Sequence, residues 1–84
     1  MADVTVYTCR LCGSCAEAKR VLRRRGVAFR EVRVKQAGGR AGLRERFGPD
    51  ATTYPQIVIG GRHVGGADDL LRLDASGELD RLLA

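Results

Sequence analysis

Near its start the chain reads VTVYTCRLCGSCAEAKRVL (residues 4–22), and this stretch decides the fold. An apolar, β-branched run comes first, and a pattern typical of a helix follows the cysteines. A strand therefore leads into a cysteine pair, Cys12 and Cys15, that opens a helix. A helix N-terminus presents free N–H groups and a partial positive charge, which favour a thiolate, the reactive form of cysteine. The stretch predicts redox chemistry at this point of the chain.

The size and composition of the chain predict one compact domain over residues 1–84. No apolar run approaches the ~20 residues that a membrane span needs, and the first residues lack the basic start and apolar core of a signal peptide. We therefore expect a cytoplasmic protein. In that compartment a C-x-x-C pair indicates a redox or metal site rather than a structural disulfide.

The net charge of +5 comes mostly from arginine. A solvated basic face is the simplest interpretation of this charge, and attraction of anionic small molecules or acidic proteins is the sharper one. We do not expect nucleic acid as a partner, because the basic residues are not interleaved with aromatic side chains that could stack on bases.

Periodicity and turn signals predict the order strand, helix, strand, helix, strand, strand, helix. The first strand covers residues 3–8, and the first helix runs from about Gly13 to Arg25 and ends at Gly26. The first βαβ unit should be parallel and right-handed, and the last two strands should form an antiparallel hairpin around Gly60-Gly61. The other predicted elements are an edge strand at 27–34, a loop at 35–39, a helix at 40–47, strands at 56–59 and 62–64, a helix beginning near Asp68, and a last helical turn or two at 78–83.

Four stretches of the sequence resemble the glutaredoxins, which have the thioredoxin fold, an α/β fold with a four-stranded mixed sheet flanked by about three helices. They are the C-x-x-C at 12–15 after Val-Tyr-Thr, TYPQI at 53–57, HVGGADDL at 63–70 and LDASGEL at 73–79. A lone C-x-x-C is weak evidence, but the four in this order and spacing are specific. The resemblance runs from about Val4 to Leu83. It implies a thiol–disulfide oxidoreductase that reduces protein disulfides and glutathione mixed disulfides.

By that resemblance, Cys12 is the attacking thiolate and Cys15 the resolving thiol. Pro55 matches the family's cis-proline, and the backbone of Tyr54 would pair with glutathione as with a short added strand. The resemblance also implies a monomer that uses glutathione, or another low-molecular-weight thiol, as co-substrate and holds no tightly bound cofactor. We assign no role to His63. The further glutathione contacts that it implies are Arg40, Thr53, Gly66, Ala67 and Asp68.

The sequence departs from the family pattern around the cysteines. Gly13 and Ser14 stand where the quartet usually has Pro and Tyr. Cys9 stands where glutaredoxins commonly carry a lysine that attracts a carboxylate of glutathione. This change leaves an alternative open, a donor of electrons to ribonucleotide reductase that thioredoxin reductase recycles. Cys9 also forms a second C-x-x-C with Cys12, and we predict that under oxidation it can form a disulfide with Cys12 or with a partner molecule.

Metal binding is the alternative from a different class. Cys9, Cys12 and Cys15 are spaced like the ligands of an iron–sulfur cluster, but the chain has no fourth cysteine. Some glutaredoxins with a small residue after the first cysteine hold a [2Fe–2S] cluster between two subunits, and Gly13 keeps this alternative open with Cys12 as the ligand. Zinc held by three thiolates and His63 is more remote, because structural zinc sites prefer two pairs of ligands.

Overall fold

The computed structural model describes residues 2–84, so Met1, the first residue of the predicted domain, lies outside the described residues. The helices and strands follow the predicted order. The strands are β1 (Val4–Thr8), β2 (Arg30–Arg33), β3 (Gln56–Ile59) and β4 (Arg62–Gly65). The helices are α1 (Gly13–Arg24), α2 (Gly39–Phe47), α3 (Ala67–Ser76) and α4 (Glu78–Leu83). Within residues 2–84, none of them is long and apolar enough to cross a membrane.

The four strands form one mixed sheet in the order β2-β1-β3-β4. Strand β1 pairs in parallel with β2 and antiparallel with β3, and β3 pairs antiparallel with β4. Gly60 and Gly61 both have positive φ angles, which suits a two-residue turn between antiparallel strands. The predicted parallel unit, edge strand and hairpin are all confirmed. They make the four-stranded sheet of the thioredoxin fold.

The main core lies on one face of this sheet, against α1, α3 and α4. Val6 pairs with Ile57 across the sheet, and both are fully buried. Because successive side chains of a strand point to opposite faces, Tyr7 lies on the other face. The ring of Phe47 from α2 meets the Tyr7 ring there, with centroids 5.4 Å apart. Helix α2 therefore covers the face that the main core leaves open. The core side chains from the helices and the loop after α1 are Ala18, Val21, Leu22, Val27, Leu70, Leu79 and Leu83.

The region between α1 and α2 differs from its prediction. Strand β2 is shorter than residues 27–34, because the Val27 N–H bonds to the Leu22 carbonyl as part of the end of α1. The predicted loop at 35–39 is also wrong. Residues Val34–Ala37 form a 3₁₀ turn, and the Gln36 side chain accepts a hydrogen bond of 3.0 Å from the Arg33 N–H. A side chain that bonds the backbone three residues earlier ends the strand locally.

Candidate active site

Cys12 is the N-cap residue of α1, and its sulfur lies at the mouth of the helix. Its backbone is extended, which turns Sγ back over the first turn, where it accepts a hydrogen bond of 3.2 Å from the Cys15 N–H. The first turn of α1 contains no acidic residue. The partial positive charge of the helix N-terminus therefore acts on the sulfur without competition from a neighbouring carboxylate.

Hydrogen bonds to the Cys12 sulfur lower the pKa of its thiol. Partial burial raises the pKa of the thiol, but hydrogen bonds from the Cys15 thiol and N–H, the Cys9 thiol and the Ser14 N–H outweigh it. The pKa of Cys12 is therefore below the ordinary value for a cysteine, and Cys12 forms a thiolate more readily than a free cysteine does. Lys19, one turn further along, binds Glu31 instead, with Nζ 3.1 Å from Oε2.

The pKa of Cys15, three residues further along the chain, is shifted in the opposite direction to that of Cys12. Cys15 is buried, and burial together with the neighbouring Cys12 raises the pKa of its thiol to about 12. A buried neutral thiol beside a half-buried, more acidic thiol is the arrangement that a resolving cysteine needs, because it stays inert until the neighbouring sulfur becomes a disulfide.

Cys9 completes a cluster of three free thiols. The sulfurs of Cys9, Cys12 and Cys15 all lie within 4.8 Å of one another. Burial and the nearby Cys12 sulfur raise the pKa of the Cys9 thiol. The side chain of Arg33 donates a hydrogen bond of 3.0 Å to the Cys9 carbonyl, which ties the end of β1 to β2. The structure thus brings together the three cysteines that the sequence singles out.

The loop before β3 forms the wall opposite the cysteines. The peptide bond between Tyr54 and Pro55 is cis, as the resemblance implied. The Cys12 thiol donates a hydrogen bond to the Tyr54 carbonyl, with an S···O distance of 3.9 Å. The guanidinium of Arg40 lies over the Tyr54 ring, 5.7 Å from its centroid. Cys12 and Tyr54, which are 42 positions apart in the chain, are therefore neighbours in the folded protein.

The start of α3 lies beside the same loop. A Cβ on Gly66 would be 3.4 Å from the Pro55 carbonyl oxygen, so the helix approaches the loop closely. The Gly66 N–H donates to the Asp69 carboxylate over 2.9 Å. The next two residues, Ala67 and Asp68, are the first of the helix, where N–H groups have no acceptor within the helix itself. The N-terminus of α3 therefore lies beside the Tyr54-Pro55 loop.

One supporting cluster was missed from the sequence. The His63 ring stacks on Phe47, with centroids 4.3 Å apart, and its Nε2 lies 2.7 Å from Gln56 Oε1. Gln56 Nε2 in turn donates a hydrogen bond of 2.7 Å to the Thr53 carbonyl. His63 thus supports the loop that carries Tyr54. No sequence signal pointed to it, because the contact depends on how β4 and α2 pack.

Comparisons with known proteins agree with this geometry. The sequence profile described as Glutaredoxin matches residues 4–64, nearly three quarters of the chain. The chain belongs to the glutaredoxin family. It is 45% identical over 84 residues to glutaredoxin 3 of Escherichia coli strain K12, with 99% of each chain covered.

Two solved glutaredoxin structures superimpose on nearly the whole chain. The solution structure of glutaredoxin from Brucella melitensis is 46% identical, with a TM-score of 0.83 over 99% of this chain and 89% of that one. The crystal structure of a buckwheat glutaredoxin–glutathione complex is 26% identical, with a TM-score of 0.86 over 98% of this chain and 76% of that one. The predicted family and thioredoxin fold are therefore confirmed.

The activity predicted from the sequence is confirmed as well. The protein is a thiol–disulfide oxidoreductase of the glutaredoxin type, which acts with glutathione as co-substrate and on protein disulfides. Reduction of a disulfide needs a reactive thiolate, and a second thiol nearby allows an intramolecular disulfide to form; the start of α1 contains two neighbouring thiols.

Proposed function

We propose that Cys12 is the attacking thiolate and Cys15 the resolving thiol of this reaction. The supporting observation is the contrast between their ionisation states, a depressed pKa at the N-cap and a pKa of about 12 one turn later. The Cys12 thiolate attacks a substrate disulfide and forms a mixed disulfide, and one substrate sulfur leaves as a thiolate. The Cys15 thiol then loses its proton and attacks the Cys12 sulfur, which releases the second substrate sulfur. Two glutathione molecules reduce the resulting Cys12–Cys15 disulfide and become glutathione disulfide.

A mixed-disulfide reduction assay on three proteins tests these roles. The parent, Cys12→Ser and Cys15→Ser are compared on a glutathione mixed disulfide and on a protein disulfide. Cys12→Ser should abolish both activities. Cys15→Ser should retain reduction of the glutathione mixed disulfide, which a second glutathione can resolve, and lose most reduction of the protein disulfide. Activity that survives in Cys12→Ser would overturn the assignment.

The proposed glutathione site lies between the Tyr54 loop and the start of α3. The Tyr54 backbone would pair with an extended peptide, and its carbonyl lies next to the Cys12 sulfur, which supports this position for the ligand. The N–H groups of Ala67 and Asp68 are suited to the γ-glutamyl carboxylate, because a helix N-terminus favours an anion. The Asp68 carboxylate is exposed and can take the substrate's amino group. Thr53 and Gly66 border this space, and Gly66 keeps it open by carrying no side chain.

Arg40 is the proposed partner of the second carboxylate of glutathione. Its guanidinium already lies over the Tyr54 ring, beside the proposed binding position. Arg40→Gln should raise the KM for the glutathione mixed disulfide about fivefold, since a charge-assisted contact at an exposed position contributes on the order of 1 kcal/mol. The matched control is Arg44→Gln, an exposed arginine on the same helix. Equal effects of the two substitutions would show that only net charge matters.

Recycling by thioredoxin reductase is the alternative that Cys9 keeps open. Cys9 stands in place of the family's lysine, so one positive charge for glutathione is missing at the active site. Turnover with glutathione and its reductase should exceed turnover with thioredoxin reductase and NADPH. The opposite order would assign the protein to the class of ribonucleotide reductase donors.

Cluster binding is the second candidate function. Gly13 and Ser14 are both exposed, so no bulky side chain covers the Cys12 sulfur from this side. Cys12 would be the protein ligand of a [2Fe–2S] cluster shared by two copies, with glutathione supplying the other thiolates. Anaerobic reconstitution with iron, sulfide and glutathione, followed by visible absorption and sizing, tests this candidate. A colourless monomer after reconstitution would exclude it.

We propose that the protein without a cluster is a monomer. Leu11 is the only large hydrophobic side chain of residues 2–84 that is exposed, so the described surface offers no broad apolar patch for a stable dimer. Light scattering coupled to size exclusion should give the mass of one 9.1 kDa chain. A doubled mass that does not depend on concentration would contradict the proposal.

We also propose that the protein acts in the cytoplasm. The three cysteine sulfurs lie close enough to form disulfides, so the site can act as a reductant only where glutathione or thioredoxin maintains a low potential. Cell fractionation followed by thiol trapping tests this location. A protein recovered outside the cytoplasm with its cysteines oxidised would contradict it.

A further inference from the structure

Cys9 is a third thiol at the active site that the two-cysteine reaction does not use. The Sγ atoms of Cys9, Cys12 and Cys15 lie within 4.8 Å of one another. Over residues 2–84, they are the one group of three or more His, Cys, Asp or Glu side chains whose ligand atoms converge in this way. Three soft donors around one point form a ligand set, of which the redox pair is only two members.

The backbone turns between Cys9 and Cys12, and this turn brings the Cys9 side chain close to those of Cys12 and Cys15. Leu11 has a φ of 55°, a left-handed conformation that residues other than glycine rarely adopt and that costs free energy. Its side chain is 95% exposed, so packing of that side chain does not explain the conformation. The turn at Arg10-Leu11 folds the chain back, and the hydrogen bond from Arg33 to the Cys9 carbonyl holds the first end of the turn.

We propose that Cys9, Cys12 and Cys15 form a mononuclear three-thiolate site for Cu(I). Thiolates are the ligands that select soft cations such as Cu(I). Three sulfurs about 2.3 Å from a central ion in a trigonal plane lie about 4.0 Å apart. Since every pair already lies within 4.8 Å, the sulfurs need to close by no more than about 0.8 Å. Small rotations of the side chains supply this movement.

The donor set favours Cu(I) over Zn(II), because structural zinc sites are four-coordinate. The chain contains one histidine, His63, and its ring already contacts other side chains. It stacks on Phe47 and pairs with Gln56 through Nε2. No fourth protein ligand joins the three sulfurs within residues 2–84. A three-coordinate site suits Cu(I) and leaves Zn(II) incomplete.

Basic residues line the cavity that borders Cys9, and one of them, Arg33, also pairs with Glu31. Three thiolates and one Cu(I) carry a net charge of −2. A cavity of about 500 Å³ borders Cys9 and is lined by Arg10, Arg33 and Lys35, together with Val34. The Cys15 N–H, 3.2 Å from the Cys12 sulfur, adds a donor at the helix terminus. The N–H group at the helix terminus lowers the cost of placing negative charge on the Cys12 sulfur.

Loading of this site involves no electron transfer. Cu(I) replaces the thiol protons, which pass to solvent, and the ion enters and leaves in the same oxidation state. Because Cys12 is a ligand, a bound ion and a disulfide substrate exclude each other. The protein therefore has a second function, that of a Cu(I)-binding protein, which alternates with disulfide reduction.

Anaerobic titration of the reduced protein with Cu(I) against a chromogenic Cu(I) chelator tests the site. X-ray absorption of the loaded protein counts the sulfur ligands, and thermal unfolding checks that each variant is folded. The parent should bind one ion per chain with three sulfur ligands. Cys9→Ser should retain two sulfur ligands and bind at least tenfold more weakly, since loss of an outer-shell partner alone costs about 10–100-fold. Ser14→Ala, next to two ligands, is the matched control and should bind as the parent does.

Three results would overturn the proposal. One is unchanged affinity and sulfur count in folded Cys9→Ser, which would show that Cys9 is not a ligand. Another is one ion per two chains, which would place the ion between copies. The third is weaker binding in Ser14→Ala equal to that in Cys9→Ser, which would trace the effect to disturbance of the helix terminus.

Discussion

Two helix N-termini flank the Tyr54-Pro55 peptide, and they differ in the groups that accept hydrogen bonds from their N–H groups. At the start of α1 the N–H groups act on the Cys12 sulfur, and the first turn contains no acidic residue. At the start of α3 the first turn contains two acidic residues, and one of them, Asp69, accepts the Gly66 N–H. Both termini carry the same partial positive charge. The difference shows how one helix end is kept free of acidic side chains beside a reactive anion, while at the other a side chain of its own helix takes the Gly66 N–H and leaves those of Ala67 and Asp68.

The largest expected effect comes from disrupting the α3 end with Gly65→Ala. Gly65 has a φ of 122°, and a Cβ at this position would overlap the Asp69 carboxylate. The left-handed backbone costs about 1–2 kcal/mol for alanine, and displacement of the Asp69 cap costs about 1 kcal/mol more. Urea unfolding should therefore show a loss of about 2–3 kcal/mol. The control Gly61→Ala, with a φ of 80° and open space around it, should lose only the backbone part. Equal losses would show that Asp69 does not matter.

The second prediction concerns the difference in reactivity between the Cys12 and Cys15 thiols at the start of α1. The pKa of Cys12 is depressed and that of Cys15 is about 12, so their thiolate fractions at pH 7 differ by at least about a thousandfold. The greater nucleophilicity of a more basic thiolate recovers roughly half of this difference on a logarithmic scale. Iodoacetamide should therefore alkylate Cys12 at least about thirtyfold faster than Cys15, as measured by mass spectrometry of the peptides. In denaturant the two rates should converge, and comparable rates in the folded protein would contradict the assigned roles.

The third prediction removes the Asp69 carboxylate, which accepts the Gly66 N–H at the start of α3. Asp69→Ala should destabilise the protein by about 1 kcal/mol or less, since a lost cap costs about that much and the side chain is 43% exposed. The exposed Asp68→Ala is the neighbouring control and should have a smaller effect.

The same variant has a predictable pH dependence. The hydrogen bond from the Gly66 N–H, with help from Arg72, holds the pKa of Asp69 below its usual value. A carboxyl with a lower pKa in the folded state stabilises the protein above the unfolded pKa of about 3.9, and this contribution is lost as pH falls through the folded pKa. The stability difference between parent and Asp69→Ala should therefore shrink below about pH 4. A difference that stays constant down to pH 2 would rule out the ionised carboxylate as its source.

The smallest expected effect comes from giving α1 the acidic turn of α3. Ser14→Asp places a negative charge in the first turn beside Cys12. It should raise the pKa of Cys12 and slow its alkylation at pH 7 about threefold, since a charge at a helix terminus contributes on the order of 0.3–1 kcal/mol. Ser14→Asn is the neutral control of similar shape. If both variants react equally slowly, the cause is steric rather than electrostatic.

Sequence patterns predicted the parts of this fold that depend on neighbouring residues. Gly26, with a φ of 69°, ends the α1 region as predicted, and Gly60-Gly61 turns the hairpin. The position of Cys12 at the mouth of α1 also follows from local sequence, because a strand and a helical pattern meet there. The prediction of a loop at 35–39 was wrong, because the Gln36 side chain bonds the Arg33 backbone and hydrophobic periodicity does not reveal such a bond.

The order of elements, the cysteine at a helix N-terminus and the family were readable from the sequence alone, because strand and helix periodicities and turn residues act over a few positions. Only the tertiary structure decided that Cys12 lies beside Tyr54, that Arg40 covers the Tyr54 ring, and that His63 supports the loop through Gln56. These contacts join residues that are distant in the chain or belong to different elements. They depend on the faces that α2, β3 and β4 bury, and therefore on how the whole sheet packs.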